Sequence, residues 1–69
     1  MNLKINGENE ALEVNDLTIS TLLKLKEVKM PEMVSVELNG DIIDREVFES
    51  TSVSDGDEVE FLYFMGGGQ

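Results

Sequence analysis

The chain has no cysteine, no histidine, no tryptophan and a single proline, and its five lysines and arginines face fifteen aspartates and glutamates. Each shortage removes a class of function. Without cysteine there is no disulfide and no thiol nucleophile, and without cysteine and histidine the usual ligands of a structural zinc are missing. A histidine general base and a serine triad built on it are excluded with them. Long hydrophobic runs are also absent: nothing approaches the roughly 20 apolar residues needed to cross a bilayer, and no basic stretch followed by an apolar one opens the chain. The expected location is cytoplasmic. The shortage of bases leaves a net charge of -10. Such a surface repels nucleic-acid backbones and anionic membranes, and it steers a basic protein partner in a salt-dependent way. The same charge also serves solubility.

What is present is a globular composition, 41% hydrophobic over 69 residues. A domain of about 60 residues buries only about 60% of its extended surface, enough for one modest core and too little for an enclosed catalytic cavity. Met1, Leu3 and Ile5 alternate with Asn2, Lys4 and Asn6, which predicts a strand with one buried face. Asn6-Gly7 is a hairpin turn signal, and Leu12 and Val14 are expected to continue in a second strand. Thr18 suits a helix N-cap, and Ile19, Leu22 and Leu23 fall on one helical face. The helix is expected to end before Met30-Pro31. Val34, Val36 and Leu38 mark a third strand, stopped by Asn39-Gly40, and Ile42-Ile43 a short fourth. Residues 45–50 read as a turn or a single helical turn. Ser54-Asp55-Gly56-Asp57 is a tight turn, with Gly56 free to take positive φ. Val59, Phe61 and Tyr63 then form the last strand. The order β-β-α-β-β-β suggests an α+β domain, one sheet with one helix across one face.

Two segments carry a more specific likeness. Val36-Glu37-Leu38-Asn39-Gly40-Asp41-Ile42-Ile43-Asp44-Arg45 and the run from Asp55-Gly56-Asp57 to Gly68, in this element order, resemble the ThiS family of thiamine-biosynthesis sulfur carriers. The wider β-grasp group includes the small subunit of molybdopterin synthase, MoaD, and ubiquitin. The resemblance spans nearly the whole chain. It implies a ubiquitin-like β-grasp domain over residues 1–65, with a mixed sheet of four to five strands, and a glycine tail over residues 66–69. It also implies a carrier that is not itself an enzyme, with the final diglycine on Gly67-Gly68. In the chemistry so implied, an adenylating enzyme of the ThiF or ubiquitin-activating type uses ATP to activate the terminal carboxylate. A sulfur donor displaces AMP to leave a thiocarboxylate, and thiazole synthase receives the sulfur. The carrier itself would bind no cofactor and no metal. Glycine suits this because it lacks Cβ and can thread a narrow channel, and residues 65–68 extend at most about 14 Å.

Gln69 departs from the family pattern, in which the reactive carboxylate belongs to the last glycine. Either a protease trims Gln69 to expose Gly68, or the chain is inactive as it stands; a cloning remnant is a third alternative. If Val59, Phe61 and Tyr63 face the helix, then Leu62 and Phe64 point to the open face as a partner-docking patch, which Ile42 or Ile43 extends. Arg45 stands where the family has an arginine, although Asp44 replaces the usual preceding proline and Phe48 stands where tryptophan is common; its expected role is pairing with a neighbouring carboxylate. Glu8, Glu10 and Glu13, and the group Asp55, Asp57, Glu58 and Glu60, lack the ligand ladder of an EF-hand and read as solvated faces. Met30, Met33 and Met65 read as gap-filling core or rim residues. Alternatives are the small subunit of molybdopterin synthase, a sulfur carrier for another pathway, and a β-grasp interaction module whose tail is incidental.

Overall fold

The computed structural model describes residues 1–63, and residues 64–69 lie outside it. The chain opens with strands β1 (Asn2–Ile5) and β2 (Glu8–Ala11), joined by Asn6 at φ 51° and Gly7 at φ 85°. Two successive residues of positive φ give the turn whose twist matches an antiparallel hairpin. β2 ends at Ala11, opposite Asn2 where β1 begins. Of the two residues expected to prolong it, Leu12 exchanges two 2.8 Å hydrogen bonds with Met1, donating to its carbonyl and accepting from its terminal ammonium. Val14 lies beyond the last possible β1 partner and packs at the margin of the core.

Helix α1 (Ile19–Leu25) starts on Thr18, whose hydroxyl accepts a 3.2 Å bond from the Thr21 amide. Ile19, Leu22 and Leu23 are its buried face, at the spacing that sequence periodicity predicts. The helix stops well short of Pro31. The Val28 amide donates to the Leu23 carbonyl and the Glu27 amide to the Lys24 carbonyl, and Glu27 takes φ 58°. This is a Schellman closure, and it ends the helix without help from proline.

A 3-10 turn (Pro31–Met33) leads into β3 (Val34–Leu38), which folds back through Asn39 and Gly40, both of positive φ, to β4 (Asp41–Ile43). A second 3-10 turn (Arg45–Val47) follows. The chain then crosses to the Asp55-Gly56-Asp57 turn, with Gly56 at φ 89°, and ends its described part in β5 (Glu58–Tyr63).

The sheet order is β2-β1-β5-β3-β4. β5 runs parallel to β1 and antiparallel to β3, so the last of the described strands in the sequence is the middle strand in space. Leu3, Ile5, Val34, Val36, Val59 and Phe61 face the helix, and Leu17, Phe48 and Val53 close the core from the connections. Each such side chain, fully buried, contributes roughly 1.5–3 kcal/mol before the entropy of ordering it is subtracted. The five-strand mixed sheet under one helix is the expected α+β architecture. Among the described residues, no helix is long and apolar enough to cross a membrane.

Candidate functional site

The start of β5 is fastened by three polar side chains. Asp55 Oδ1 accepts the Asn2 amide at 2.6 Å, and Asp57 Oδ2 accepts the Ser54 amide at 2.8 Å. Asn39 reaches across from the β3–β4 turn, donating to Asp57 Oδ1 at 3.1 Å and accepting the Glu58 amide at 2.9 Å. Asp55 and Asp57 are therefore turn-closing acceptors and not merely solvated charges. Glu10 also departs from the solvated reading, since its carboxylate takes Lys26 Nζ at 2.6 and 2.8 Å and ties β2 to the end of α1. Among the described residues, no three acidic side chains are grouped so as to hold a metal ion.

Toward the exit, β1 ends at Ile5 opposite Val59, and Asn6 continues the ladder for one step. Its amide donates to the Val59 carbonyl at 2.9 Å, and its side-chain oxygen accepts the Phe61 amide at 2.8 Å. The asparagine thus turns the hairpin and also fastens the central strand, a role its Asn-Gly signature does not reveal. Beyond it β5 is paired with β3, Leu62 opposite Ser35 and Tyr63 opposite Val34.

Arg45 acts at this same end. The sequence alone predicts a carboxylate partner for it. Instead Nη2 donates to the Val34 carbonyl at 3.0 Å, and among the described residues the ion pairs are Lys4–Glu58 at 3.7 Å and Lys26–Glu10. The last β3–β4 pair is Val36 with Ile43, so the Val34 carbonyl lies past the end of β4. The guanidinium supplies the donor that the three-residue edge strand is too short to provide.

The expected docking patch is divided by the pleat. Leu62 is 43% exposed and Ile42 60% exposed, and both lie on the open face. Ile43, paired with the fully buried Val36, faces the helix side and packs against the core. The open-face extension is therefore Ile42 and not Ile43. Phe64, Met65, Gly66, Gly67, Gly68 and Gln69 lie outside the described residues.

The arrangement is a central strand, pinned at its start by an acidic turn and near its exit by asparagine, leading into a glycine tail. The family model of ThiS matches residues 2–68. The chain belongs to the ThiS family. It is thereby a sulfur carrier of thiamine biosynthesis, and its fold is the β-grasp of that family. A crystal structure of thiamine biosynthesis protein ThiS from Geobacter metallireducens is 49% identical, with a TM-score of 0.89 over 99% of this chain and 100% of that one. A solution NMR structure of a thiamine biosynthesis protein from the same organism is 48% identical, with a TM-score of 0.84 over 100% of this chain and 90% of that one. No curated protein matches the chain. ThiS membership implies, in general terms, encounters with activating and sulfur-transfer enzymes. It favours the thiamine pathway over the molybdopterin synthase alternative.

Proposed function

We propose that this ThiS-family protein carries sulfur on the carboxylate of Gly68, exposed by removal of Gln69. The observation that carries the choice of atom is the extent of the family match, which ends on Gly68 and leaves Gln69 outside. The fold supports it, because the strand that precedes the tail in the sequence is paired with β1 at its start and with β3 along its length to Tyr63.

The reaction is done to the carrier. The carboxylate oxygen of Gly68 attacks the α-phosphorus of ATP on an adenylating enzyme of the ThiF type, and pyrophosphate leaves. A donor's persulfide sulfur then bonds to the acyl carbon and AMP leaves. A second thiol attacks the donor sulfur of the resulting acyl disulfide, and the S–S bond breaks. The donor leaves as a disulfide with that thiol, and the thiocarboxylate that thiazole synthase consumes is freed. The carrier's own residues supply no acid, base or cofactor. They supply a body for docking, with Leu62, Phe64 and Ile42 as its apolar contacts, and a side-chain-free end. All of this takes place in the cytoplasm, where ATP is available, and a protease supplies the Gly68 terminus.

Intact mass spectrometry tests the reading. The chain is measured before and after incubation with the adenylating enzyme, ATP and a sulfur donor. The expected result is that a Gly68-ending form exchanges one oxygen for sulfur while the Gln69-ending form does not. A Gly68-ending form that stays unchanged with an enzyme active on its own carrier overturns the proposal. Partner binding that survives deletion of Gly67 and Gly68, with no ATP-dependent change at the terminus, would then favour an interaction module.

A further inference from the structure

The open face of the sheet carries more than exposed apolar groups. Glu37 on β3 lies directly opposite Glu60 on β5. Ile42 on β4 lies opposite Glu37, and Leu62 follows Glu60 by two residues on the same face. Two carboxylates therefore sit side by side at the middle of the face, with a 60%-exposed isoleucine and a 43%-exposed leucine at their flanks. Like charges directly opposite each other on neighbouring strands destabilise a sheet, where a threonine pair or opposite charges would stabilise it. The fold gains nothing from this pair.

Nor does the rest of the molecule neutralise it. Lys4 is the basic residue of the open face, and it pairs with Glu58 at 3.7 Å. Lys24, Lys26 and Lys29 cluster at the end of α1 and just after it, where Lys26 is held by Glu10. Arg45 is bonded to the Val34 carbonyl. Bases gather at the helix end, and the face beside the tail's root is left acidic.

We propose that this face docks a protein surface that presents a cationic side chain, arginine or lysine, between apolar neighbours, with the cation seated on Glu37 and Glu60 and the apolar groups on Leu62 and Ile42. The inference rests on the carrier reading, in which the occupant is the enzyme that receives the tail. A guanidinium can donate to two carboxylates at once, and such charge-assisted bonds are stronger than neutral ones. Charge complementarity selects a basic protein. A second copy of this chain brings ten more net negative charges to the same place.

The test separates docking from chemistry. Binding of the Gly68-ending chain to its adenylating enzyme is measured by calorimetry, and sulfur transfer by mass spectrometry. In the double variant Glu37→Thr, Glu60→Thr, Kd is expected to rise about tenfold or more at low salt, while the unfolding midpoint rises because the like-charge contact is gone. Opposite movement of binding and stability is a signature that a purely structural role would not produce. A control, Glu13→Gln with Glu49→Gln, removes the same charge elsewhere and is expected to change Kd by less than about threefold. Unchanged Kd in the threonine variant, or an equal loss in the control, overturns the docking proposal, as does a wild-type homodimer that the threonine variant loses. Wild type that binds with the expected Glu37 and Glu60 dependence but takes no sulfur sustains this proposal and sinks the Gly68 chemistry. Wild type that does not bind sinks the docking proposal outright.

Discussion

Glu27 sits at the one position of the helix closure where glycine is the usual residue. Its φ of 58° places a Cβ in the left-handed region, at roughly 1–2 kcal/mol for an ordinary L-residue. Glu27→Gly relieves that strain and loses some unfolded-state restriction in exchange, so the expected net gain is about 0.5–1 kcal/mol. In a domain of this size that corresponds to a rise in Tm of about 2–8 °C, read by thermal unfolding. A Tm that falls would mean that the glutamate side chain contributes more to the closure than its backbone angle takes away. Residue-scale legibility follows the same logic. Thr18 and the two Asn-Gly turns were readable because their local chemistry is the usual solution. Glu27 was not, because an unusual residue held by its surroundings leaves no mark in the sequence. The role of Arg45 is hidden in the sequence for a related reason. One of five bases facing fifteen acids invites an ion pair, and its actual acceptor is a main-chain carbonyl that no sequence pattern displays.

At the scale of elements, the short edge strand β4 and its arginine act together. Arg45→Met keeps much of the aliphatic stem and removes the donor to Val34. The expected loss is about 0.5–1.5 kcal/mol, seen as a lower midpoint in denaturant without a change in slope. Amide exchange should quicken along β3–β4 and stay slow along β1–β2, and uniform acceleration through the sheet would argue against a local role. Alternation made β1, β3 and β5 legible. It overran at β2, where Leu12 and Val14 continue the apolar pattern after the partner strand has been used up. The site was half legible. Period-2 geometry placed Leu62 on the open face, but two adjacent isoleucines carry no label, and only the register of Val36 with Ile43 decides which one faces the core. The parallel pairing of β1 with β5 joins segments more than fifty residues apart, and local pattern does not report such contacts.

For the molecule as a whole, a net charge of -10 on so small a body is a self-repulsion that the fold must withstand. Raising NaCl from about 0.02 M to about 0.5 M shortens the screening length severalfold, so Tm is expected to rise over that range while partner binding weakens. A Tm that falls with salt would show that the pairs Lys26–Glu10 and Lys4–Glu58 outweigh the repulsion. The central placement of β5 has a mechanical consequence as well. β3 grips it to Tyr63 and β1 grips its start, and the bonds lie across its axis. In the proposed reaction, traction on residues 64–69 loads those bonds together, in shear. An edge strand tugged sideways would instead peel, one bond after another. The handle is attached to a strand that pulling loads in shear, so that in the proposed reaction the tail is drawn into a partner while the body stays folded.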